Sequence, residues 1–181
     1  HGGAPLAGKR WGGRESIEQG REPTPARPRR RLALVLVAVV VVGLGALAWV
    51  LDGQWRDRTA TDLIRAFDTT VTAIEAGERQ VSSMVEYQPA RADEAGQEEA
   101  VRAAAVDAAA KITAARDRMD AIVILPWHGE LHAARAEADT WLALRATGIT
   151  SLAAQGRAVY PPQGELDDAR AALVGAFSAL K

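Results

Sequence analysis

The chain has 181 residues, a formal net charge of −1, 48% hydrophobic and 25% charged residues, and no cysteine. The lack of cysteine excludes disulfides, thiolate metal centres and cysteine nucleophiles. The near-zero charge conceals a division: residues 1–31 carry eight Lys/Arg against three Glu, whereas residues 52–181 carry fourteen basic and twenty acidic residues.

Residues 1–31 have no apolar periodicity and are rich in Gly, Pro and Arg, which predicts a disordered basic tail. Residues 32–51, LALVLVAVVVVGLGALAWVL, follow directly after Arg29-Arg30-Arg31 and hold no charge. A helix of that length rises roughly 30 Å, the hydrocarbon thickness of a bilayer. Thirteen of the twenty are Leu or Val, and together they favour insertion by about 5 kcal/mol. The run is therefore expected to cross the lipid bilayer as a single transmembrane helix. The basic flank places the N-terminus in the cytoplasm and residues 52–181 outside it. Ala46-Leu47-Ala48 also has the form of a signal-peptidase site, so cleavage after Ala48 is the alternative. The long n-region and the continuation through Trp49, Val50 and Leu51 favour an uncleaved anchor. The basic cluster beside a span is accounted for by topology, and no nucleic-acid partner is expected.

Beyond the span every segment reads as helix. Segment A, about 55–87, sets Leu63, Phe67, Val71, Ile74, Val81, Met84 and Val85 at spacings of mostly three and four, and ends before Pro89. No proline separates the span from segment A, which leaves one long helix open, with Gly53 as its weak point. Segment B starts near 92–98, with Asp93 as a potential N-cap. It sets Val101, Ala105, Ala108, Ile112, Ala115, Met119 and Ile122 on one stripe, and its Ala-rich centre at 103–111 allows a neighbouring helix to pack closely. Pro126 ends or kinks this segment and fits the first position of the next helix. Segment C, about 127–159, carries Trp127, Leu131, Ala134, Ala138, Trp141, Leu142, Ile149 and Leu152. Pro161-Pro162 with Gly164 makes a further break before segment D, 165–180, with Leu166, Ala169, Leu173, Phe177 and Leu180. No stretch alternates with period two. The expected fold is all-α: one N-terminal transmembrane helix followed by an up-down bundle of three to four helices over residues 52–181.

Chemistry-bearing residues are sparse. His128 and His132 lie four apart at the start of segment C, on one helix face, where a pair of histidines can grip a divalent metal if a third ligand arrives. Asp120 or Glu137 would have to supply that ligand through folding. The segment reads H-G-E-L-H, with Gly129 where a zinc protease needs its glutamate, and this removes the protease reading. Trp55, Trp127 and Trp141 are expected to pack in the core or an interface, with a ligand pocket as the alternative. Carboxylates and arginines alternate as on solvated helix faces. No serine sits in a nucleophile elbow, and no phosphate loop or dinucleotide fingerprint occurs. No enzymatic activity and no cofactor are expected.

The stretch Pro126-Trp-His-Gly-Glu-Leu-His132 ahead of an Ala-rich helix resembles a pattern in uncharacterised bacterial exported or membrane-anchored helical domains, with Leu131-His132 as the matching pair. That resemblance implies an extracytoplasmic helical bundle. The layout is also similar to the periplasmic four-helix sensor domains of chemoreceptors, but it has one apolar span where they have two and lacks their signalling coiled coil. The expected function is accordingly protein interaction or scaffolding in the cell envelope, with another envelope protein or with a second copy. A small-ligand or metal-binding sensor subunit, its site near His128, His132 and the tryptophans, is the alternative.

Overall fold

The structure is a computed structural model and describes residues 27–86 and 94–180. It contains four α-helices in the order α1 (Arg27–Glu86), α2 (Glu94–Asp120), α3 (Gly129–Gln155) and α4 (Gln163–Ser178), with no strand among the described residues. The expected tail falls outside the described residues as far as residue 26, as does the N-cap expected at Asp93.

Helix α1 is uninterrupted through Gly53, as the absence of proline allowed. A single glycine weakens a helix by about 1 kcal/mol relative to alanine, too little to break sixty residues of otherwise cooperative hydrogen bonding. The chain divides into two compact units, the first ending at Ala46 and the second running from Leu47 to Lys181. Within the first, the large apolar side chains from Leu32 to Leu44 are all exposed, and the helix is long and apolar enough to cross a membrane.

The second unit holds the core. Leu63 and Ile74 from α1, Ala108, Ile112 and Met119 from α2, Ala134, Ala138, Leu142, Ala146 and Ile149 from α3, and Leu173 from α4 form one buried cluster. Each comes from the apolar stripe of its helix, because residues three and four apart share a face. Phe67 joins three helices, its ring centroid 5.6 Å from that of Trp141 and 5.2 Å from that of Phe177. The Ala-rich part of α2 packs as closely as its composition allows. At Gly77 of α1 an added Cβ would fall 2.8 Å from the Cβ of Ala108 and 3.1 Å from Cδ1 of Ile149. The stripe of α1 fades at its end, where Met84 and Val85 are exposed.

Polar contacts bind the same helices at intervals. Arg56 pairs with Glu130 at 2.7 Å, Arg145 with both carboxylate oxygens of Glu78, and Arg116 with Asp139. Arg102 reaches the carbonyls of Ala153 and Ala154 at the end of α3, at 3.4 and 3.5 Å.

The breaks differ in detail from the expected ones. Pro126 does break the chain between α2 and α3, but it is not the first residue of α3. It occupies a turn closed by the N–H of His128 on the carbonyl of Leu125 at 3.0 Å, and the helix begins at Gly129. Proline's fixed φ suits the second position of such a turn as well as the first turn of a helix, and sequence alone does not separate the two. Helix α3 stops before the Pro161-Pro162 pair, because Gly156 adopts the left-handed conformation (φ 72°) and its N–H caps the carbonyl of Leu152. Gly164, expected in the break, lies inside α4, where Pro162 is the capping residue.

Candidate functional site

Two features of the second unit have the makings of a site. The first gathers the residues singled out in the sequence. Asp52 is the first charged residue after the apolar run, and the loop between α2 and α3 is fastened to it. The indole Nε1 of Trp127 donates to Oδ1 of Asp52 at 2.8 Å, and Nε2 of His128 lies 3.1 Å from the same oxygen. His128 is buried, and its Nδ1 has no partner among the described residues. The proton therefore belongs on Nε2, where it meets the carboxylate. Donation from Trp127, and next from His128, holds the Asp52 carboxyl below its ordinary value.

The loop is also held from its inner side. Nε2 of His132 donates to the carbonyl of Leu125 at 3.2 Å, and Arg135 donates to the carbonyls of Asp120 and Ile122 at 3.3 and 3.1 Å. These side chains satisfy backbone groups that a loop without secondary structure leaves unpaired. The two expected metal ligands thus sit on one turn, as their spacing requires, but each Nε2 faces a different partner. Asp120 and Glu137 do not complete the pair: among the described residues no group of three His, Cys, Asp or Glu side chains is placed to hold a metal ion.

The tryptophans separate. Trp141 packs beside the core against Phe67, with its Nε1 buried and unpartnered among the described residues. Trp55 and Trp127 are not core residues. Trp127 is 67% exposed, its indole N–H held by Asp52 and its ring edge-to-face with that of His128, the centroids 6.0 Å apart.

The second feature was not singled out from the sequence. An open groove of about 600 Å³ runs between α1 and α4, walled by Ala60, Ile64 and Phe67 on one side and by Leu173, Val174 and Phe177 on the other. Its walls are mostly apolar, with Asp57, Thr61 and Ser178 also contributing. A neighbouring cavity of about 420 Å³ shares Phe67, Leu173 and Val174 and adds Val71, Trp141, Arg145 and Arg170. Neither includes His128 or His132. Ile64 and Val174 were the available signal, since each is a large apolar residue beside its helix's core stripe.

Such a groove can accept an apolar chain or ligand by burial alone. Comparison with protein-family models, with curated proteins and with solved structures gives no match, so the functional reading rests on this geometry.

Proposed function

We propose that this chain is a single-pass membrane protein, anchored through residues 32–51 with its N-terminus in the cytoplasm. Its C-terminal part is an extracytoplasmic up-down bundle that acts as a non-catalytic protein-interaction module. The charge division supports the orientation, eight basic residues preceding the span and an acidic excess following it. The pairs Arg56–Glu130, Phe67–Trp141 and Glu78–Arg145 ascend together along α1 and α3, while Arg116–Asp139 and Arg102–Ala153 descend along α2 and α3. An up-down arrangement produces this pattern.

The observation that carries the interaction reading is the open apolar groove between α1 and α4. Its walls present apolar groups at helical spacing, Ala60, Ile64 and Phe67 against Leu173, Val174, Phe177 and Leu180. A trough between two helices takes the ridge of a third, so the occupant is an amphipathic helix of another envelope protein. The groove's volume also falls within the range of small-ligand sites, roughly 300–1,000 Å³, which favours a small apolar ligand as the second reading.

A photo-crosslinking residue placed at Val174 in the full chain, in its native membrane, tests this. A discrete crosslinked product from Val174 and none from Ala110 on α2 is the expected result, lost on Ile64→Glu. A product of twice the chain's mass would make a second copy the occupant. No protein product, together with a saturable thermal shift on adding small apolar molecules, would replace the interaction reading with the ligand reading.

A further inference from the structure

We propose that the α2–α3 loop is a second membrane contact, with Val123 and the indole ring of Trp127 seated in the headgroup interface of the bilayer that residues 32–51 cross. The inference rests on the anchored reading above and adds to it a place where the folded domain itself meets lipid.

Position is the first ground. Asp52 immediately follows Leu51, the end of the apolar run, and the loop is tied to Asp52 through Trp127 and His128. One helical turn rises about 5.4 Å, so a ring hydrogen-bonded to Asp52 lies at the level where the span leaves the hydrocarbon. Trp49 and Trp55, both exposed, flank Asp52 on α1, each three residues away and so about 4.5 Å along the axis on either side.

The chemistry of the loop's outer side is the second ground. Val123 is 68% exposed and Trp127 67%, while Ile124 between them is buried. Two apolar side chains exposed on one loop, beside the end of an apolar run, give that loop a surface that lipid can cover. The indole N–H of Trp127 donates to Asp52, so the ring keeps its polar edge on the charged end of the domain and presents its apolar face outward. Aromatic rings with one apolar and one polar side accumulate at membrane interfaces.

Rigidity is the third ground. His132, Arg135 and His128 hold the loop from within. Presenting Val123 and Trp127 to lipid therefore requires little further ordering of the chain.

The absence of cysteine makes the test clean. A nitroxide is attached to Val123→Cys in the full chain, reconstituted into phosphatidylethanolamine–phosphatidylglycerol vesicles. Its collision rates with oxygen, which concentrates in the bilayer, and with a water-soluble nickel chelate are compared. Val41→Cys in the span and Gln155→Cys at the far end of α3 are the reference sites. The expected oxygen-to-nickel ratio at 123 is several-fold above that at 155 and below that at 41. Quenching by brominated lipids is the label-free companion, and replacing Trp127 with Phe is expected to remove a quenched part of the tryptophan emission. A ratio at 123 equal to that at 155, with 41 still in lipid, overturns the loop contact and leaves the anchor standing. An aqueous ratio at 41 overturns the anchor and the loop contact together.

Discussion

Substituting alanine for glycine at two helical positions separates close packing from propensity. Gly77 and Gly175 both lie inside helices, α1 and α4, and alanine stabilises an exposed helix interior relative to glycine by about 0.9 kcal/mol. At Gly175 a new Cβ meets nothing within 4 Å, so Gly175→Ala is expected to realise that gain. At Gly77 the same Cβ falls 2.8 Å from the Cβ of Ala108, an atom that moves only with the backbone of α2, and 3.1 Å from Cδ1 of Ile149. Overpacking of this kind costs about 2 kcal/mol, leaving Gly77→Ala destabilised by about 1 kcal/mol net. The two variants should differ by about 2 kcal/mol, which for a domain of this size is a separation of about 6 °C in Tm. Thermal unfolding of the full chain in lipid nanodiscs, followed by circular dichroism, measures it. If Gly77→Ala proves as stabilising as Gly175→Ala, α1 and α2 do not approach as described, and the role assigned to the Ala-rich face of α2 fails.

Other substitutions follow from the same packing. Leu142 is fully buried in the core cluster, and Leu142→Ala is expected to cost about 2–5 kcal/mol in chemical denaturation. Arg145 and Glu78 pair through two hydrogen bonds while two-thirds buried, and a double-mutant cycle with Arg145→Met and Glu78→Gln should return a coupling of about 1 kcal/mol. Because the Asp52 carboxyl is held below its ordinary value, its hydrogen bonds contribute fully above that value, and their contribution is lost as pH falls through the lower folded value. The Tm difference between the native chain and Asp52→Asn should therefore be present at neutral pH and shrink in acid below about pH 4, and a difference constant across that range would refute the assignment. Zinc is expected to give no saturable rise in Tm, since among the described residues no third ligand stands beside the two histidines. A rise abolished by His128→Ala with His132→Ala would assign the pair to metal instead.

Periodicity carried much of the fold. The stripe Leu63, Phe67, Val71, Ile74 and the stripe Ala105, Ala108, Ile112, Ala115, Met119 are half-buried or buried, because a 3.6-residue repeat puts each set on one helix face. Capping was less legible. Gly156 ended α3 and Pro126 took a turn position, since glycine and proline each fit several local conformations and the neighbouring helix decides among them. The spacing of His128 and His132 predicted a shared turn correctly but not their partners. Asp52 and Leu125 are 76 and 7 residues away, respectively, and nothing local marks them.

By itself the sequence determined the helical class and the apolar run able to span a membrane, since both follow from the order of apolar and charged residues along one helix. Tertiary structure alone decided which apolar residues stay uncovered. Ile64 and Val174 face a groove and Val123 and Trp127 face outward, because exposure depends on where the other helices end and the loop is tied, and those distances are set across the chain.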